Sequence, residues 1–158
     1  MSKLACVAAS AVVAVLTIGC SVMPNDERPG LRLPGELVPS PVDDWSFTED
    51  SGEIFIETAT WYGIPHSVTA WCLTVGDDLY VSADYADEKR WVANVARNPN
   101  VRLWIKGKVY EQMLEPFTDP EIIAAIDNGW ARKYDYDEAD WEVDEEMVVG
   151  YWRVVEGH

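Results

Sequence analysis

The chain has 158 residues, of which 28 are acidic and 12 are basic, so its net charge is −16 at neutral pH. A surface this negative repels phosphate backbones at long range, which excludes nucleic acid as a partner. There are 3 cysteines, and two of them lie in the first twenty residues, which excludes a disulfide framework and a cysteine metal site.

The first twenty residues have the pattern of an export signal. Lys3 is the only charged residue before Pro24, and an apolar run occupies residues 4–18. The run ends in LTIGC at residues 16–20, which resembles a bacterial lipobox. We therefore expect Cys20 to carry a lipid anchor that holds the protein on a bacterial membrane, at the periplasmic side or the cell surface. An ordinary signal peptide and an uncleaved anchor are the alternatives.

Residues 21–44 contain repeated prolines and few large apolar residues. This composition is typical of a linker, so we expect a flexible tether between the lipid and a single domain. The domain is expected to begin near Trp45 and to cover residues 45–158. Cys72 then remains as the one cysteine of the domain, and its apolar surroundings in the sequence indicate a small core residue.

Three strands are predicted in the first part of the domain. Residues 54–59, 66–75 and 79–83 are rich in β-branched and aromatic side chains. Gly76 and the two aspartates after it form a hairpin turn between the second and third strands. The sequence therefore predicts consecutive antiparallel strands.

The pattern changes at Asp84. A helix is predicted over residues 84–98, capped by Asp87, and it is followed by two strands at residues 101–106 and 109–114. Pro120 begins a second helix, capped by Thr118 or Asp119. An acidic loop at residues 134–146 and a last strand at 147–155 complete the order β-β-β-α-β-β-α-β. This order indicates a mostly β, α+β protein with a small antiparallel barrel.

Several short motifs resemble the flavin-binding split β-barrel superfamily, which includes pyridoxamine-phosphate-oxidase-like proteins and deazaflavin-dependent nitroreductases. Their order and spacing cover about residues 50–155. The motifs are GIPH at 63–66, Trp71, GDDLYV at 76–81, Trp91 with Asn94, NPNV at 98–101, KGKVYE at 106–111 and ARKY at 131–134.

The resemblance implies a cleft between two subunits of a homodimer that binds FMN, a deazaflavin or, less often, haem. By position, the main chain of the second strand would hold the edge of the ring, at His66, Ser67, Val68 and Thr69. The phosphate would meet Ser82, Lys89, Arg90 and Trp91. A helix start with two cations beside it suits a phosphate, because free N–H groups add to the charge.

Each of these residues has a simpler interpretation. Lys89 and Arg90 could form surface ion pairs with Asp84, Asp87 or the acidic segment, and His66 could be an ordinary hydrogen-bonded residue. Aromatic side chains could form a wall for a planar ring or pack in a core or dimer interface: Trp61, Tyr62, Trp71, Trp91 and Trp104. A strand face could be the rim of a pocket or a solvent-exposed surface: Arg102, Trp104 and Lys106.

The resemblance favours a membrane-tethered oxidoreductase that uses FMN or a deazaflavin and acts on a small acceptor. The alternative is a cofactor-free binding or structural lipoprotein of the same fold. It is suggested by Trp91, which stands where flavin-binding relatives often carry a basic residue. A haem-binding relative is a third hypothesis, based on His66 alone.

Overall fold

The computed structural model describes residues 21–25, 27–134 and 146–157. The predicted signal segment with Cys20, most of the acidic loop and His158 lie outside this part of the chain. The described part contains the following elements, in chain order: β1 Glu36–Val38, a 3₁₀ turn Ser46–Thr48, β2 Ile54–Thr58, β3 His66–Ala70, β4 Cys72–Val75, β5 Asp78–Ala83, α1 Arg90–Arg97, β6 Asn100–Ile105, β7 Lys108–Pro116, α2 Pro120–Tyr134 and β8 Gly150–Glu156.

Neither described helix is both long and apolar enough to cross a membrane.

Seven strands form one antiparallel sheet in the order β3-β2-β6-β7-β8-β5-β4, and β1 pairs in parallel with β7. The two end strands, β3 and β4, are separated in the chain by Trp71 alone. The sheet therefore curls until its ends meet at Trp71, and the barrel is split because β3 and β5 are not hydrogen-bonded to each other. This confirms the predicted α+β class and the antiparallel split β-barrel.

The main core fills the inside of the curled sheet. Alternate residues of β2 and β6 point inward, which is the period of a strand with one buried face. The following side chains of this core are at most 1% exposed: Ile54, Ile56, Leu79, Val81, Leu103, Ile105 and Leu114. A second cluster, outside the barrel, packs α2 against the sheet through Leu73, Tyr80, Ile126 and Trp130.

The structure corrects two element boundaries. The strand predicted over residues 66–75 is two strands, because the chain turns at Trp71 from pairing with β2 to pairing with β5. The first helix begins at Arg90, and its N-cap residue is Lys89 rather than Asp87. The second helix starts as predicted, because Asp119 Oδ1 accepts the N–H of Glu121 at 2.9 Å.

The domain begins earlier than Trp45. Leu33 is 1% exposed, and its N–H donates to the buried Glu57 Oε2 at 2.7 Å. Further along, β1 adds a strand beside β7. The proline-rich composition indicated an absence of regular structure, but such a segment can still pack when a sheet edge offers unpaired hydrogen-bonding groups. We refer to residues 21–25 and 27–33 as the N-terminal arm.

Candidate functional site

An open cleft of about 550 Å³ lies in the split of the barrel. Its sides are β3, the end of β5, the start of α1 and the N-terminal arm, and residues of α2 and β8 form one end of it. The cleft lies where β3, an end strand, is not paired with β5.

Seven of the eight residues predicted to hold a cofactor line this cleft. They come from three separate parts of the chain, and only the curling of the sheet brings them together: His66, Val68, Thr69, Ser82, Lys89, Arg90 and Trp91.

Ser67 is the exception. It is 0% exposed, and its main chain is already used by the N-terminal arm. Its N–H donates to the Gly30 carbonyl at 3.0 Å, and its carbonyl accepts the Gly30 N–H at 2.8 Å. Since Ser67 does not line the cleft, the prediction that its main chain holds a ring edge is corrected.

Thr69 has the equivalent position two residues further along β3. Alternate residues of an antiparallel strand direct their main-chain groups to the same side, so those of Thr69 point as those of Ser67 do. Thr69 Oγ1 and His66 Nδ1 are buried without a hydrogen-bond partner in the described part of the chain. Buried polar atoms normally have a partner, so two such atoms in one cleft fit a site that receives a polar ligand.

The imidazole of His66 is held in its neutral form. Burial lowers its pKa, and the positive charge of Arg90 lowers it further. A neutral imidazole has one nitrogen that donates a hydrogen bond and one that accepts, so His66 can offer either to a ligand.

Lys89 and Arg90 are exposed side chains at the start of α1. Neither forms an ion pair with a described residue, so the predicted pairs with Asp84 or Asp87 are not observed there. No side chain caps this helix start, and no acidic residue lies in its first turn. Two cations and free N–H groups at one point form an anion-binding arrangement.

Asn94 fixes the position of α1 against the sheet. The side chain is 5% exposed and donates from Nδ2 to Thr58 Oγ1 at 3.0 Å. It also accepts a hydrogen bond from the Arg97 guanidinium at 2.8 Å. The bond to Thr58 joins α1 to β2, and the bond from Arg97 orients the Asn94 side chain within the helix, so the helix start is held in a defined position at the cleft.

Several residues that line the cleft were not predicted from the sequence. Arg28 comes from the N-terminal arm, which was interpreted as a tether. The others come from the residue before β2, from α2 and from β8, where no motif marked them: Glu53, Asp127, Trp130 and Tyr151. The hydrophobic spacing of α2 predicted a buried face, and Trp130 does pack there, but the spacing contained no signal for the cleft.

Of the aromatic residues that could form a wall or pack in a core, two line the cleft and the others do not. Trp71 and Trp91 line the cleft, whereas Trp61 is 81% exposed in the β2–β3 turn beside Tyr62. Trp104 instead stacks on Phe55, with ring centroids 5.1 Å apart.

The cationic strand face is not a rim of this cleft. Arg102 bonds to the buried Glu57 at 2.8 Å, and Lys106 pairs with Asp50.

Cys72 is buried, and burial raises the pKa of its thiol, as is typical of a structural cysteine. Within the described ranges, no group of three or more His, Cys, Asp or Glu side chains could hold a metal ion.

In sequence, residues 49–149 match the family described as "Uncharacterized protein conserved in bacteria (DUF2255)". The chain belongs to this family. No curated protein matches the chain in sequence.

Solved structures show the fold. A Listeria innocua protein described as a candidate pyridoxamine 5'-phosphate oxidase is 16% identical, with a TM-score of 0.53 over 72% of this chain and 90% of its own. An F420 reductase is 18% identical, with a TM-score of 0.50 over 75% of this chain and 96% of its own. A NimC/NimA family protein from Clostridium acetobutylicum is 12% identical, with a TM-score of 0.51 over 67% of this chain and 75% of its own. These likenesses confirm the split β-barrel fold.

Proposed function

We propose that the cleft binds a flavin-type cofactor, FMN or a deazaflavin, and that the protein is an oxidoreductase acting on a small acceptor. One observation carries this proposal: two cations at a helix start, neither ion-paired with a described residue, and a strand with polar atoms that lack a partner among the described residues line the same cleft. A bound group of this type would supply hydride transfer, and the protein would supply position and electrostatics.

The cleft residues divide into two roles. Lys89 and Arg90, with the free N–H groups at the start of α1, would hold a phosphate. Thr69, through its main chain and hydroxyl, and the imidazole of His66 would contact the edge of the ring. Thr69 Oγ1 and His66 Nδ1 are buried atoms without a partner among the described residues. Trp91, 5% exposed, would support the cofactor through packing.

The proposal includes a lipid anchor and a homodimer. A lipid on Cys20 would hold the domain at a membrane, and a homodimer would add a second wall to an open cleft. One of the similar solved structures is described as a domain-swapped dimer. A Cys20→Ser variant should leave the membrane fraction of cells, and light scattering of the purified protein should give twice the mass of one chain.

The deciding experiment is a titration of the purified full chain with FMN and with a deazaflavin, followed by visible absorbance and by calorimetry. We expect one of the two to bind with a Kd of about 1 μM or below, which corresponds to roughly 8 kcal/mol. No bound chromophore and no micromolar affinity for either would leave the alternative, a cofactor-free binding lipoprotein. That alternative is favoured by the occupied edge at Ser67. A Soret band that depends on His66, after haem is added, would instead support haem.

A further inference from the structure

The two ends of the cleft carry opposite charges. Strand β3 runs along the cleft for about 13 Å from His66 to Ala70, by the rise of a β-strand. At the His66 end, Arg90 lies close enough to lower the pKa of the imidazole, and Lys89 precedes it in the chain. The arm adds one residue of each sign, Glu27 and Arg28, and so leaves this polarity unchanged.

The other end is aromatic. Trp71 stacks on Tyr134 with ring centroids 4.8 Å apart and lies 6.1 Å from Trp130. Trp71 is nevertheless 44% exposed, and it lines the cleft together with Trp130. A planar ligand would therefore meet indole rings here.

Carboxylates border these rings. Asp127 lies one turn before Trp130 on α2, and its Oδ1 accepts the hydroxyl of Tyr151 at 2.9 Å. Glu53 precedes β2, where Ile54 pairs with Ala70, so it lies opposite Trp71 in the extended register. Both carboxylates line the cleft.

Nearby carboxylates also affect the pKa values of two tyrosines at this end. Burial raises the pKa of Tyr151, and the carboxylates of Asp127 and Asp84 raise it further. Burial also raises the pKa of Tyr134, with a contribution from Glu53. Carboxylates thus lie at the end of the cleft away from Arg90. Lys133 Nζ lies 5.6 Å from the centre of the Tyr134 ring and donates to the Cys72 carbonyl, but it does not line the cleft.

We propose that the end of the cleft formed by Trp71, Trp130, Glu53 and Asp127 is the acceptor subsite and that it takes a planar organic cation. This inference rests on the proposed function. An indole face attracts a cation through its quadrupole, and the carboxylates compensate the charge. A planar anion would lose its hydration and gain only repulsion.

The chemistry of hydride transfer suits such an acceptor. Hydride adds to a ring carbon of an N-alkylated heteroaromatic cation, a C–H bond forms, and the C=N π pair becomes the lone pair of the nitrogen. The acceptor gains two electrons and becomes neutral. The hydride would come from a hydrogen-bearing bond of a reduced flavin-type cofactor, and that bond would break with both of its electrons passing to the acceptor. The product then lacks the charge that held it, which favours its release.

The test uses N-methylquinolinium as the cation and quinoline, uncharged at neutral pH, as its matched neutral analogue. Calorimetry on the full chain should show the cation binding about tenfold more tightly than quinoline. Asp127→Asn should weaken the cation about fivefold and leave quinoline and FMN unchanged. The asparagine can still accept the hydroxyl of Tyr151, so the fold is retained.

Glu115→Gln is the control, because it removes the same charge from an exposed position on β7 outside the cleft. It should change neither affinity. Equal binding of the two probes, or equal losses in Asp127→Asn and Glu115→Gln, would overturn the cation subsite even if FMN binds. Preference for the cation without any flavin binding would instead overturn the oxidoreductase, and with it the role of this end as an acceptor subsite.

Discussion

Gly30 and Ser67 exchange both of their main-chain hydrogen bonds, at N···O distances of 2.8 and 3.0 Å. The N-terminal arm thereby pairs with the outer edge of β3, which would otherwise be free. This bridge covers part of an open strand edge and brings Arg28 to the cleft. The arm is therefore part of the candidate site.

Gly30→Ala should destabilise the domain and release the arm. An added Cβ would meet the Val22 carbonyl, the Pro24 nitrogen and the Ser67 hydroxyl, and such overpacking costs about 1–3 kcal/mol. The matched control is Gly52→Ala, since nothing lies within 4 Å of its added Cβ. Urea denaturation gives the free energy of unfolding, and hydrogen exchange at the Ser67 amide should speed up in the Gly30 variant alone. Unchanged exchange there would show that the arm does not depend on this contact.

Lys89→Ala and Arg90→Ala should each weaken FMN or deazaflavin binding by about tenfold, because each removes a charge-assisted contact to phosphate worth about 1.5 kcal/mol. Lys108→Ala is the control, as it removes an exposed cation from β7 that does not line the cleft. Titration calorimetry at two salt concentrations checks both the loss and its screening. Equal affinity in all three variants would contradict the assignment of the phosphate position.

Glu57→Ala should cost about 3–5 kcal/mol of stability, because it leaves a mostly buried guanidinium without its counter-charge. Glu57 and Arg102 have side chains 6% and 17% exposed, and they bond at 2.8 Å. Glu111 lies 3.7 Å from the same arginine but is 59% exposed, so Glu111→Ala should cost at most about 1 kcal/mol. Equilibrium urea unfolding of both variants measures the difference. Similar losses of unfolding free energy in Glu57→Ala and Glu111→Ala would show that the burial of Glu57 and Arg102 does not determine the contribution of their ion pair.

His66 should make the domain less stable as the pH falls. Its pKa in the folded state is lowered by burial and by Arg90, so between that value and the ordinary one the unfolded chain binds more protons. Stability therefore decreases as the pH drops through the window below about 6.5. His66→Gln removes this contribution. The melting temperatures of the unchanged protein and the variant should therefore differ less at mildly acidic pH than at pH 8. Parallel curves would mean that His66 is not held neutral.

Much of the local structure could be predicted from the sequence. Buried and exposed residues alternate in β6, and Asp119 caps the second helix. Such features can be predicted because they depend on residues that are close together in the chain. Side chains of the candidate site were found only through the resemblance to a family, since no local pattern connects His66 with Lys89. Both residues line the cleft because the curled sheet brings β3 close to the start of α1.

The sequence by itself determined the strands, the second helix start and the negative charge, because each is a property of short segments or of composition. Only the tertiary structure decided that the chain turns at Trp71, that Gly30 occupies the edge at Ser67, and that Asp127 joins the cleft. The pairing of Gly30 with Ser67 spans 37 residues, and the bond between Tyr151 and Asp127 spans 24. They depend on which edge remains free when the sheet closes, and that is settled by the packing of the whole core.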